Sequence, residues 1–454
     1  MSNLTAIMTD EEHYQSTISP ERLAWGVLLV SFAIFCFICA ASTLGVYYFL
    51  FESTLSLRAN LNVGRGTVGV VLDEQTPQAV SSPRAIGSNT LIQTDSADYW
   101  SQANIEFVDP DHEQVVASLI IQHDSIIELR HARRPRFEWS NTNYEIAFEN
   151  LSGQVDLFVF DSNRPLDIVF YLTDNAEIRI DAVGHYTIRV VDGEARLINW
   201  YGQAILIAPD RVSAISIPEG QVGIINTVGE IEREPAPLNL IENGQLNTIG
   251  AEQSAGVIVN DPVIGGWSCT HRPNTNLPLG NYFTDQLDNG RQAFRLVRAG
   301  GATTNAQTSC EYTFPNGLDI SSYDYIALQA VFLIKFHSVN GCGEQGSECP
   351  MMFRIRYTDI NGIEREWIHG AYYLPFESAQ ANWKRRCDTC ISDNIRINQN
   401  TWYIYNSDNL FNVIPPDQMP KTINQVMFFS EGHQYDVFID EIALIAESLP
   451  NELE

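Results

Sequence analysis

The sequence predicts a mainly β protein carried on a single N-terminal transmembrane helix, and three patterns predict it. Residues 23–51 are apolar or small, with no charge between Arg22 and Glu52. From Asn60 to Ile231 the chain is a series of short apolar runs rich in β-branched residues, without a helical period. From Leu238 to Glu447 it again reads as strands, closing on the alternating segment Tyr435-Asp-Val-Phe-Ile-Asp-Glu-Ile-Ala-Leu444.

The apolar run comes first. At about 1.5 Å per residue it spans a ~30 Å hydrocarbon core with residues to spare. Trp25 near one end and Tyr47 and Tyr48 near the other stand where interfacial aromatics belong. A cleaved signal peptide would have a shorter core, a basic start and a small-residue exit. Cys39-Ala40-Ala41 offers such an exit, but the apolar stretch continues to Phe51, and the preceding tail is acidic apart from Arg22. Neither Cys36 nor Cys39 follows a lipoprotein box, and a buried soluble helix would carry a polar face. The reading is an uncleaved anchor over 23–51 behind a short cytoplasmic tail, 1–22.

Charge bias barely orients the span, because Arg22 on one side faces Arg58 and Arg65 on the other. Cysteine placement orients it better. Two of the eight cysteines lie in the span, and the rest, Cys269, Cys310, Cys342, Cys349, Cys387 and Cys390, fall in the C-terminal part. An even set confined to one region reads as a disulfide framework and places residues 53–454 outside the cytosol. Nearest-neighbour pairing gives Cys269–Cys310, Cys342–Cys349 and Cys387–Cys390. The alternative is a zinc site built from Cys342, Cys349, Cys387 and Cys390, although the first pair is spaced too widely for a zinc ribbon.

The formal net charge is −29, and Lys335, Lys384 and Lys421 are the only lysines. Such a surface repels nucleic acid and anionic lipid. The residues after the anchor exceed what one core usually serves, so two domains are expected, 60–228 and 238–447. The polar, proline-bearing segment 229–237 reads as their linker.

In the first domain the strand runs are 67–72, 115–121, 125–129, 155–160, 167–172, 177–180, 186–191, 195–200, 204–207 and 212–217. Turn residues such as Asp161-Ser-Asn163, Asp192-Gly193 and Pro218-Glu-Gly220 separate them. Within this region, Ile86-Gly-Ser-Asn-Thr-Leu-Ile-Gln-Thr-Asp-Ser-Ala-Asp98, Ile105-Glu-Phe-Val-Asp109 and Asp124-Ser-Ile-Ile-Glu-Leu129 succeed one another. Arg133-Arg-Pro-Arg136, Gly184-His-Tyr-Thr-Ile-Arg-Val-Val-Asp-Gly-Glu-Ala195 and Gly202-Gln-Ala-Ile-Leu-Ile207 follow. Together they resemble the FecR family, the extracytoplasmic sensory domain of bacterial membrane regulators. That resemblance implies an all-β sensory or scaffold domain outside the bacterial cytoplasmic membrane. It departs from the family at residues 1–22, which are too short to be a folded sigma-factor-binding domain.

In the second domain, 327–334, 352–357 and 425–429 read as strands, and Thr358-Asp-Ile-Asn-Gly-Ile363 as a hairpin turn. The opening Asn239-Leu-Ile-Glu-Asn-Gly-Gln-Leu246 and the closing strand resemble those of carbohydrate-binding-module jelly rolls, related to the galactose-binding fold. In that family the first and last strands lie side by side. The resemblance implies glycan binding by aromatic stacking, with Trp367, Tyr372, Tyr373, Trp383 and Trp402 as the ligand contacts and Trp267 as a further candidate. Trp383, beside Lys384, Arg385 and Arg386 in a loop, is the residue least expected in a core. The resemblance also implies a structural calcium held by Glu242 and Asp440, with Glu441 adjacent.

Enzyme machinery is not legible. The histidines have no metal spacing, and no nucleophile elbow, P-loop or dinucleotide fingerprint occurs. Arg130-His-Ala-Arg-Arg-Pro-Arg136 is the one basic cluster, a surface turn or a dock for an anionic ligand or partner. The expected function is binding rather than catalysis, by a membrane-anchored sensor or scaffold whose distal jelly roll holds a surface glycan, with an envelope protein as a further partner. The alternatives are a tethered carbohydrate binder without signalling and an envelope glycan hydrolase.

Overall fold

Helix α1 runs from Pro20 to Phe51, with proline in its first turn where the missing N–H costs nothing. In this computed structural model, which describes residues 19–72, 76–172, 175–246, 266–375 and 384–448, the helix is exposed on every face from Leu23 to Phe49. A helix apolar all round is stable in lipid or in a core, and none of its residues is buried. At about 1.5 Å per residue it is long enough to cross a bilayer. The chain is thus mainly β behind one membrane-length helix. The tail 1–18 lies outside the described residues.

Helix α1 and the turn 135–142 form one compact unit, and 56–134 with 143–454 form another. Within the second unit, two ladders, antiparallel but for one pairing, share the long strand Tyr144–Val159 and close around one core. Its first half pairs with Ile126–Pro135 and, in parallel, with Leu166–Tyr171; its second half pairs with Gln114–Ile121 and Gly184–Val191. The crossing is at Gly153, where φ is +95° and a Cβ would stand 2.7 Å from the Ser125 Cα. Only glycine fits there. Leu61, Ile92, Phe107, Phe148, Leu157, Ile188 and Leu206 fill the interior between the ladders.

Residues expected to be a linker instead continue the second ladder. Ile231–Pro235 pairs with Gln221–Ile225, which pairs with Glu194–Tyr201. Glu232, Arg233 and Glu234 suit this position because an outermost strand faces water and charge discourages edge-to-edge pairing.

From Leu238 onward the chain builds a β-sandwich. One sheet has the order Asn281–Gln286, Gln292–Arg298, Tyr435–Glu447, Tyr325–His337, Tyr403–Asn406. Leu238–Asn239 pairs with Ile445 and Ala446, so the first and last strands are neighbours, as the jelly-roll resemblance implied. The other sheet has the order Trp267–Arg272, Ala306–Asp319, Pro420–Gly432, Met351–Asp359, Glu364–Tyr372, Ile395–Arg396. Phe294, Leu328, Phe332, Val437 and Ile439 of the first meet Trp267, Phe353, Ile355, Val426 and Phe428 of the second. The hairpin turn falls at Asp359, whose carboxylate accepts the N–H groups of Asn361 and Ile363 at 2.8 and 2.9 Å.

The six distal cysteines form Cys269–Cys310, Cys342–Cys349 and Cys387–Cys390. The first ties directly opposed residues of adjacent strands. The other two pack with Met352, Ile368, Tyr372, Met427 and Phe429 on the outer face of the second sheet. Loop closure makes the bridges unequal. Their sequence separations are 41, 7 and 3. Chain entropy gives roughly 4 kcal/mol to the widest and roughly 1.5 kcal/mol to the narrowest. Denaturant titration should therefore find the double substitution Cys269→Ala/Cys310→Ala more destabilising than Cys387→Ala/Cys390→Ala; the reverse order would contradict the entropic ranking.

Candidate functional site

The outer face of the sandwich sheet that contains Trp402 is not a free surface. Val331, Leu333, Ile404 and Phe438 from this face, with Trp402 at its edge, pack with Ile120 and Phe158 of the preceding ladders. Arg291 enters this contact with its side chain wholly buried, its Nη2 donating to Asp440 Oδ2 at 2.7 Å. Its guanidinium lies 3.7 Å from the Trp402 ring centroid, 4.8 Å from Phe160 and 5.3 Å from Phe158. These aromatic faces offer a buried cation what water otherwise would.

Polar groups complete the seam. Tyr403–Asn406 ends its sheet, leaving edge amides to satisfy. The Gln102 side chain meets them, donating to Ile404 O at 2.7 Å and accepting the Ile404 N–H at 3.0 Å. Tyr403 Oη donates to Trp100 O at 3.0 Å, and Asn398 Nδ2 to Val63 O at 2.9 Å. From Gln102 the network runs inward: Gln102 Nε2 to Gln122 Oε1 at 2.9 Å, then Gln122 Nε2 to Asp156 Oδ2 at 2.7 Å. Thr187 Oγ1 donates to Asp156 Oδ1 at 2.6 Å and accepts from Trp200 Nε1 at 2.9 Å.

Beside this seam opens a cleft of about 520 Å³, walled by both β regions. Tyr99 and Trp100 stand on one side, following the turn Asp95-Ser-Ala-Asp98; His123 and Asp124 come from the next hairpin. The Tyr99 ring is 48% exposed and lies 4.5 Å from His123 and 5.4 Å from Trp100. Its hydroxyl donates to Asp408, and burial first, then this carboxylate, pushes its pKa well up, so it stays a neutral phenol. Trp100 stacks on Tyr405 at 5.8 Å and 4°. Gln122, Gln154, Gln329 and Asn406 add side-chain amides, and Arg189 a cation. Gln154, Gln329 and Arg189 make no side-chain hydrogen bond or ion pair among the described residues. Aromatic faces beside uncommitted amide donors and acceptors suit a neutral polyhydroxylated ligand. A cavity of about 570 Å³ beside Thr270, Arg272, Asn274, Gln307 and Glu431 is lined by no Trp, Tyr or Phe.

The expected contacts do not converge. Trp402 lies under Arg291, and Trp367 is 2% exposed inside the sandwich, so neither presents a face to a ligand. Both were expected as platforms; burial corrects that. Trp267 is core as well. Tyr372 is buried against the disulfides, and Tyr373 packs edge-on against His337 at 4.5 Å. Trp383 lies outside the described residues. Tyr99, Trp100 and His123 were missed, although an aromatic pair in a turn of Asp, Ser and Ala is unusual enough to mark.

The calcium ligands are likewise apart in chemistry. Glu242 is exposed, Asp440 is paired with Arg291, and Glu441 accepts from His185. A carboxylate already neutralised by a buried guanidinium does not fit a divalent cation site. Among the described residues no three His, Cys, Asp or Glu side chains are grouped to hold a metal.

No protein-family profile matches the chain, and no curated protein matches it. Among solved structures, a candidate anti-sigma factor from Parabacteroides distasonis is 12% identical, over 34% of this chain and 68% of its own, with a TM-score of 0.23. The family 11 carbohydrate-binding module of a Clostridium thermocellum cellulase is 12% identical, over 48% of this chain and 98% of its own, at 0.24. The xylan-binding domain of Paenibacillus barcinonensis is 9% identical, over 42% and 92%, at 0.22.

The seam also sets a pH dependence. Burial opposes charge on His185, but Glu441, 2.9 Å away, and Asp156 outweigh it and hold its pKa up to about 9. Its stabilisation is complete below the unfolded value of 6.5 and is lost as pH rises through about 9. Burial instead pushes His271, His337 and His369 down to about 4, so their contribution is lost as pH falls below 6.5. Unfolding midpoints should peak near pH 6.5. His185→Gln should lower the peak and flatten its alkaline limb while leaving the acid limb; an unchanged alkaline limb would remove His185 from this role.

Proposed function

We propose that this chain is a membrane-anchored extracytoplasmic binding protein that takes a glycan in the cleft between its two β regions. The observation that carries the reading is the convergence of Tyr99, Trp100 and His123 with the side-chain amides of Gln122, Gln154, Gln329 and Asn406 in one cavity of about 520 Å³. Sugar rings present C–H faces to aromatic rings and hydroxyls to amides, and a cavity of this size accommodates a short oligosaccharide. The three disulfides support an oxidising compartment for the β unit, and helix α1 supports tethering.

A sensor or scaffold role is supported by the same geometry, because a ligand in this cleft touches both β regions at once. Binding rather than catalysis is the reading these lining groups favour. Asp156, the most buried cleft carboxylate, already accepts from Thr187 and Gln122.

The test is a glycan array probed with the full chain in nanodiscs, followed by titration of the best ligand. A stacked ring contributes about 0.5–1.5 kcal/mol beyond its buried area, so affinities in the micromolar to millimolar range are expected. Tyr99→Ala should weaken binding by about two- to tenfold at nearly unchanged melting temperature. Binding indifferent to Tyr99→Ala would move the site elsewhere, and an empty array would end the glycan reading. Release of reducing ends from a bound polysaccharide would make the protein a hydrolase instead.

A further inference from the structure

The basic run from Arg130 to Arg136 is largely absorbed by neighbouring acids. Arg130 pairs with Glu149 at 3.6 Å, Arg133 with Glu145 at 3.8 Å, and Arg134 with Asp111. Arg136 behaves differently. It begins the turn 135–142, which folds against the end of helix α1. Its backbone N–H donates to Ser53 O at 3.0 Å and its Nε to Ser53 Oγ at 3.1 Å. Its guanidinium lies 5.3 Å from the Phe49 ring centroid. Ser140 Oγ donates to Phe51 O, closing the turn onto the last residue of the helix. Phe137 meets Phe49 edge-on at 5.6 Å, and Trp139 stacks on Phe137 at 4.8 Å and 10°.

Trp139 is 61% exposed, the most exposed aromatic outside helix α1 among the described residues. Among the described residues of its own unit, Phe137 is the ring that stacks on it. It is held level with residues 49–53, just past Tyr47 and Tyr48, where the apolar stretch ends. A helix that crosses the bilayer carries residues 49–53 into its headgroup layer. Indole is at its most stable there, its ring among glycerol and upper acyl groups and its N–H among waters and esters.

We propose that the turn 135–142 is an interfacial membrane anchor, with Trp139 and Phe137 immersed in the headgroup layer of the bilayer that α1 crosses. The occupant is lipid rather than protein because the turn is bonded to the last residues of the membrane-length helix itself. Attraction to anionic headgroups is not required, since Glu138 lies two residues from Arg136 and Glu52 lies beside its partner Ser53 in sequence. Eight residues thereby bring to the interface an aromatic pair that the helix sequence alone does not supply.

This inference rests on α1 being inserted, and Trp25 reports that separately. The full chain is reconstituted in vesicles of zwitterionic phosphatidylcholine with and without bromine on the acyl chains. Tryptophan emission is recorded for wild type, Trp139→Phe and Trp25→Phe. The wild-type minus Trp25→Phe difference emission should be quenched by brominated lipid, which scores insertion of α1. The wild-type minus Trp139→Phe difference should also be quenched by brominated lipid, and largely protected from aqueous iodide. Phenylalanine keeps the stack on Phe137, and trypsin resistance of the β unit checks folding. Quenching of the Trp25 component with an unquenched Trp139 component overturns the anchor. Loss of both overturns the membrane reading of α1 together with it.

Discussion

Everything past the helix depends on one contact, the burial of a sandwich sheet's outer face against the ladders that precede it. A two-layer sandwich normally leaves its outer faces to water, with polar residues alternating against the core. Here Val331, Leu333, Ile404 and Phe438 on the outer face, together with Trp402, are buried. Arg291 sits among them, bonded through one nitrogen to Asp440, with its Nε and Nη1 lacking hydrogen-bond partners among the described residues. Burying such a cation gains little net stability over an apolar core, but removing one partner of a buried pair costs about 3–5 kcal/mol. Of the two pairs, Arg291–Asp440 lies within the sandwich, whereas His185–Glu441 joins the two β regions and so specifies register more than it stabilises. A docking that parted His185 from Glu441 would strand a charge in a dry seam.

That specification makes the cleft. Tyr99, Trp100 and His123 belong to the first β region, Gln329 and Asn406 to the second. The rings are held from behind by a continuous stack, Trp100 on Tyr405, Tyr405 on His369 at 5.0 Å, and His369 on Trp367 at 6.1 Å. Burial keeps His369 neutral at physiological pH, so no charge interrupts the stack. Trp367 contributes to the site after all, as a support several rings removed from any ligand.

The sequence made the strands legible where one face is buried, because period-two alternation follows from burial. Residues 177–180 and 435–444 read directly as strands on that ground. The strand Tyr144–Val159 was only half visible. It changes sheets at Gly153, and its first half breaks the alternation with a bulge between Glu149 and Ser152. Residues 231–235 were invisible as a strand because an edge strand with a solvated face has the composition of a linker. Two of the bridges were legible for a topological reason, since Cys342–Cys349 and Cys387–Cys390 close short loops, whereas Cys269–Cys310 joins adjacent strands with two strands of the other sheet between them in sequence. The site was not legible. The sequence points to tryptophans of the second β region as stacking residues, but Trp402 and Trp367 are consumed by the seam and the core. Which outer face is covered depends on contacts between residues some 300 apart, such as Gln102 with Ile404. No local pattern encodes such pairings.

A ligand held between two walls acts on the contact that made them. Whatever binds the apposed arrangement and not its separated parts stabilises it by mass action, by about 1.4 kcal/mol at ten times the dissociation constant. The binding site and the seam are then one thermodynamic object, since Gln102 and Gln122 lie in both. Weak affinity is no handicap in this setting. Under the proposed reading, copies tethered by α1 would share one surface and a polysaccharide would repeat its unit, so a second engagement would occur at high effective concentration. A single weak cleft per chain would then respond to polymer in preference to free sugar. On that reading the selectivity would arise from tethering and repetition, without any further contact in the cleft.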